Sequence, residues 1–137
     1  MQEKIICFSL GLSPGDVERG RVSFNESCGA EGELVVVPVT GAMLERNVGD
    51  ALERVISGSA PDGSNPVLPG QFPCRIVVVA AMEREQVFSV MRSFKAVLPD
   101  PQELIFAVIT ETALGWTFRE YATHLAQEHE EMKARRR

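Results

Sequence analysis

Four short runs of consecutive apolar, largely β-branched residues punctuate the chain: Lys4 to Ser9 (KIICFS), Leu34 to Val39 (LVVVPV), Cys74 to Ala80 (CRIVVVA) and Leu104 to Ile109 (LIFAVI). Runs of this length without apolar–polar alternation suit strands covered on both faces, as in a sheet flanked by helices. Pro38 lies inside the second run, and because proline has no amide to give a ladder, it predicts an edge position for that strand. Between the strands the period becomes helical. From Glu83 to Leu98, the residues Val87, Met91, Phe94 and Leu98 follow the i, i+4, i+7, i+11 spacing of one buried face, and the segment stops at Pro99-Asp100-Pro101. Val17, Arg21, Phe24 and Cys28 repeat that spacing behind Ser13-Pro14, a good N-cap and first-turn pair. Gly20, Ser23, Asn25 and Ser27 make this the weaker helix.

The two halves align at an offset of 70 positions, which sets Val17 on Val87, Ser23-Phe24 on Ser93-Phe94, Glu33-Leu34 on Glu103-Leu104, Thr40 on Thr110 and Leu44 on Leu114. Each half reads strand, helix, strand, helix, with an equal loop after its second strand. The join, SGSAPDGSNPVLPGQFP, is dense in Gly, Ser, Asn and Pro and predicts an exposed linker. The pattern therefore predicts one α/β domain over residues 1–137, with halves 1–57 and 74–137 and a linker at 58–73. In it two βαβα units share one four-stranded, mainly parallel sheet, ordered 2-1-3-4, with helices packed on its faces and right-handed crossovers. The alternative sets the halves about a pseudo-twofold axis, with the first and third strands antiparallel.

The last helix opens in LGWTFREY, which holds the only Trp and the only Tyr of the chain. Thr117-Phe-Arg-Glu120 fits a capping box, and Asn47-Val-Gly-Asp50 is its looser counterpart in the first half. With Thr117 as N-cap, Trp116 and Tyr121 take the two positions of a hydrophobic staple. Phe118, Tyr121, Ala122, Leu125, His129 and Met132 then share one helix face. Glu120, His124 and Glu128 align on a neighbouring stripe, too few ligands for a metal site of their own.

Composition narrows the classes of function. With 45% apolar and 24% charged residues among 137, the chain has the balance of a folded domain. A formal charge of −5 excludes the basic footprint of a nucleic-acid binder, and the cationic end from Lys133 to Arg137 complements a helix C-terminus. No apolar stretch approaches a membrane span and no signal-peptide cleavage region is expected. Cys7, Cys28 and Cys74 form neither a C-x-x-C nor a metal set, which predicts a reducing cytoplasm. Gly11-Leu-Ser-Pro-Gly15 matches the G-x-S-x-G nucleophile elbow, but Pro14 lacks the amide an oxyanion hole needs there. The same loop has neither a Walker lysine nor G-x-G-x-x-G spacing, so no cofactor is expected.

In open α/β sheets ligands bind beyond the carboxyl ends of the strands, so the loops Thr40 to Arg46 and Thr110 to Trp116 are the expected rim. Candidate ligand residues are Thr40, Thr110, Glu111, Thr112 and Trp116, with His129 on the last helix. No nucleophile–base pair is visible among them. The expectation is a non-enzymatic cytosolic binding or regulatory module for a small molecule or a protein partner. The alternatives are a small enzyme using the rim threonines and glutamates, or Ser13, and a self-associating structural subunit that forms a homo-oligomer.

At Thr110, Trp116, Leu125 and Glu128-His129 the second half resembles an uncharacterised bacterial domain-of-unknown-function family, over residues 74–132. The resemblance implies a compact α/β module and no activity. The first half departs from it, with Arg46 where Trp116 falls and Val55 where Leu125 falls.

Overall fold

The four apolar runs become the strands β1 (Lys4–Leu10), β2 (Glu33–Pro38), β3 (Arg75–Ala80) and β4 (Leu104–Val108) of one sheet, ordered β2-β1-β3-β4. The computed structural model describes residues 4–28, 32–58, 74–80, 83–98 and 100–135, so all but the first residue of the expected linker 58–73 lies outside the described residues. Pro38 closes the edge strand β2. Its neighbour Val39 gives its amide to Ser9 of β1 at 2.7 Å. Alternate residues of a parallel strand bond to opposite sides, so Pro38 takes an outward position where no amide is needed.

The sheet is mixed, not mainly parallel. β1 pairs with β2 in parallel and β3 with β4 in parallel, but the central pair, β1 and β3, is antiparallel. A continuous apolar strand carries no mark of its direction, because both of its faces are buried either way. The alternative arrangement is therefore the observed one at this pair. Its register is regular. Lys4 pairs with Glu33 and Arg75 with Leu104, a separation of 29 positions in both, and the antiparallel ladder centres on Phe8 and Val78, which are 70 positions apart.

Helices α1 (Pro14–Cys28) and α3 (Arg84–Val97) cover one face, where Phe24, Val90 and Phe94 pack on Ile5, Cys7, Val77 and Val79. The other face carries α2 (Val48–Ile56), the short α4 (Glu111–Leu114) and α5 (Phe118–Arg135), with Val48, Ala51, Phe118, Tyr121 and Ala122 over Phe8, Leu10, Ile76 and Val78. Cys7 is fully enclosed, and burial pushes its thiol pKa up to about 12. Among the described residues no helix is long and apolar enough to cross a membrane.

Ser13 begins α1 as its spacing predicts, its Oγ accepting the Asp16 amide at 3.1 Å. The hydroxyl of the G-x-S-x-G match thus has a capping role. Gly11 before it has φ +79°, and a Cβ there would stand 2.7 Å from the Cys74 carbonyl oxygen. This backbone contact ties the exit of β1 to the entrance of β3.

The buried face of α3 differs from the expected stripe. Gln86, Ser89, Val90, Ser93 and Phe94 are buried, whereas Val87 and Met91 are only half-buried. The shift has a cause in α1, which packs beside α3 as well as on the sheet. Small serines permit that approach, and Ser93 Oγ donates to the Ser89 carbonyl of its own helix at 2.8 Å. On the α1 side the matching small residue is Gly20, where an added Cβ would sit 2.3 Å from the Phe94 ring. Gly20→Ala gains about 1 kcal/mol of helix propensity but overpacks this contact, at a cost of about 1–3 kcal/mol. Urea denaturation is expected to show net destabilisation; a more stable variant would refute the close helix approach.

Candidate functional site

The chain leaves β2 and β4 through the same turn. Thr40 Oγ1 accepts the Met43 amide at 3.2 Å, and Thr110 Oγ1 accepts that of Ala113 at 3.2 Å. A threonine suits both places because its hydroxyl caps a turn that the β-branched strand cannot continue. The antiparallel central pair sends β2 and β4 in opposite directions, so Thr40 and Thr110 sit at opposite ends of the sheet. Thr40 is buried; Thr110, Glu111 and Thr112 are exposed. The two loops converge only further on. Asn47 and Thr117 form an antiparallel bridge, with the Val48 amide on the Trp116 carbonyl at 2.8 Å and the Phe118 amide on that of Arg46 at 3.0 Å.

The opening of α5 is built as its sequence predicts. The Glu120 amide donates to Thr117 Oγ1 at 3.1 Å, and the Thr117 amide donates to Glu120 Oε1 at 3.2 Å. Trp116 meets Tyr121 edge to face at 6.1 Å, completing the staple, and meets His124 at 5.1 Å. Asn47, in the matching place, makes no side-chain cap bond. Around Trp116 lies an open recess of about 430 Å³, lined also by Arg119, Glu120, Thr123, His124 and Gln127. Glu120 is engaged with Thr117, and His124 Nε2 with Glu128 Oε1 at 2.7 Å. Among the described residues no group of three or more His, Cys, Asp or Glu could hold a metal ion.

His129 is remote from Trp116, ~20 Å further along α5 at 1.5 Å per residue. Its side chain is 19% exposed, and Nε2 lies 3.7 Å from Glu103 Oε2 without a hydrogen bond. Lys133 Nζ approaches the same Glu103 oxygen at 2.9 Å. That hydrogen bond, with the charges of Lys133 and His129, holds the Glu103 carboxyl below its ordinary range. Nearby Cys74 is raised by partial burial and by Glu130 and Glu103, which makes it a poor thiolate. This cluster reads as the clasp of α5 onto the start of β4.

A larger feature escapes the expected rim. Between α3 and the outer edge of β4 runs a groove of about 560 Å³, lined by Arg84, Val87, Phe88, Met91, Phe106, Ala107 and Val108. Phe88 is 45% exposed and Val108 39%. The groove lies beside the C-terminal part of β4, immediately before Thr110. A signal for it was available: Arg84, Phe88, Met91 and Lys95 follow the same i, i+4, i+7, i+11 spacing as the supposed core stripe, on an adjacent face.

Site and sheet together define a small mixed α/β fold. Residues 75–132, from β3 into α5, match the family model of a domain of unknown function (DUF3783), the span in which the Thr110, Trp116 and Glu128-His129 pattern carries the resemblance. No curated protein and no solved structure shows a significant match to the chain.

Two substitutions test the α5 opening. Trp116→Ala removes both edge-to-face contacts and is expected to cost about 1–3 kcal/mol in chemical denaturation; unchanged stability would refute the staple. Tyr121 donates its hydroxyl to the Val108 carbonyl at 3.0 Å, and burial, then Glu128, raises its pKa. A folded pKa above the unfolded value of about 10 means that the stability is complete below that value and is lost as pH rises through the folded pKa. Tyr121→Phe is expected to be about 1 kcal/mol less stable at pH 8, with the gap to the parent closing as melting is followed to higher pH.

Proposed function

We propose that the chain is a cytosolic, non-enzymatic binding module that receives its partner in the apolar groove at the C-terminal end of β4. The observation that carries this reading is the groove itself. Phe88 and Val108 are large apolar side chains left substantially exposed, next to half-buried Val87, Met91 and Phe106, and contiguous apolar surface of this kind marks a binding site. Thr110, Glu111 and Thr112 follow directly from the strand end and extend the rim of the groove with exposed polar groups. Trp116 contributes from the neighbouring recess, whereas Thr40 and His129 serve the fold. The two halves are proposed to derive from one duplicated βαβα unit, supported by the shared separation of 29 positions in both parallel ladders.

The test is a fragment screen by NMR on the full chain, with Phe88→Asp as control. Shift changes are expected to cluster at Val87, Phe88, Met91 and Val108, and Phe88→Asp should abolish them while altering stability by no more than about 0.5 kcal/mol, as for an exposed position. Perturbations that avoid the groove, or persist in Phe88→Asp, overturn the reading.

A further inference from the structure

We propose that the occupant of the groove is an extended protein segment with acidic side chains at both ends, added to β4 as a fifth strand. This rests on the groove being the binding surface and goes beyond it in naming the partner's chemistry. The backbone supplies the first argument. The Ile109 amide bonds to the Val79 carbonyl of β3 at 3.1 Å, and alternate residues of a parallel strand face opposite sides. Phe106 and Val108 therefore direct their amides and carbonyls outward, along an edge that no strand among the described residues covers. The Val108 carbonyl is already taken by the Tyr121 hydroxyl, which ends the free ladder there. What remains beside the apolar groove is a row of unmet donors and acceptors, which an extended backbone satisfies and a compact ligand does not.

Charge supplies the second argument. Arg84 lines the groove at its Val108 end, and Lys95 Nζ stands 5.9 Å from the Phe106 ring centre. Both are exposed, and neither forms an ion pair among the described residues. Glu83 and Glu85 flank Arg84 in sequence and exposed Glu111 stands on the rim beyond Val108, but none of the three lines the groove, whose one charged lining residue is Arg84. The binding strip is thus locally cationic on a chain of net charge −5. The same two cations argue against a second copy as occupant. Antiparallel pairing of two β4 strands would bring the Arg84 end of one copy to the Lys95 end of the other, a like-charge contact.

The probes are blocked peptides of about seven residues, long enough to span the strand: alternating valine and threonine with a glutamate at each end, the same with lysine ends, and the glutamate-ended peptide N-methylated at alternate residues. They are titrated into the full chain and into Arg84→Glu/Lys95→Glu, with groove amide shifts as readout. The glutamate-ended peptide is expected to bind roughly tenfold more tightly than the lysine-ended one, from two exposed pairs in each case. The double variant should invert the preference, salt should reduce it, and N-methylation should abolish binding. Equal binding of both end types overturns the acidic partner, and tight binding of the N-methylated peptide overturns strand addition; in either case fragment binding at Phe88 still leaves the groove reading standing. A chain that sediments as a dimer, and as a monomer after Phe88→Asp, assigns the edge to a second copy and overturns the proposal. Loss of both peptide and fragment binding overturns the groove reading as well.

Discussion

The antiparallel pairing of β1 with β3 is the constraint from which the rest of the architecture follows. It joins two parallel strand pairs through a ladder centred on Phe8 and Val78, and it places the exits of β2 and β4 at opposite ends of the sheet. It brings α1 beside α3, where Gly20 and Phe94 meet, and it lets the loops after β2 and β4 run toward each other until Asn47 and Thr117 bridge. A parallel central pair would have set Thr40 and Thr110 at the same end of the sheet. The observed one separates them.

Local structure was legible in the residues because its causes are local. Ser13-Pro14 caps a helix wherever it occurs in this context, Thr117 and Glu120 bond each other three residues apart, and Pro38 excludes its strand from the centre of a sheet. Strand direction was not legible, since valines in β3 are equally buried whichever way the strand runs. The groove was hidden for a related reason. Val87 and Met91 have the spacing and the chemistry of core residues, and only the position of α1 against Gln86, Ser89 and Ser93 decides that they turn toward the edge instead. Of the candidate site residues, Thr110, Glu111, Thr112 and Trp116 stay at the surface near the end of β4; Thr40 makes the same local cap as Thr110 but is buried by the fold, and the Glu103 contact of His129 depends on a neighbour distant in sequence.

The sequence differences between the halves fall where the halves do different work. Trp116, Tyr121 and the eighteen-residue α5 have, at matching positions, Arg46, Ala51 and the nine-residue α2. The second half therefore carries the aromatic staple, the Tyr121 hydroxyl on β4 and the Glu103 clasp, and it is the half that the family model covers. The first half contributes the closed edge and the helix surface against which α3 is set.

Pro38 gives the molecule a polarity that its sheet alone would lack. One border of the sheet offers hydrogen bonds and the other withholds one at its last position, so the two borders are not equivalent partners for a strand. A head-to-tail stack of copies, β4 of one against β2 of the next, would leave an acceptor without its donor at Pro38, which is a local penalty on fibrous growth.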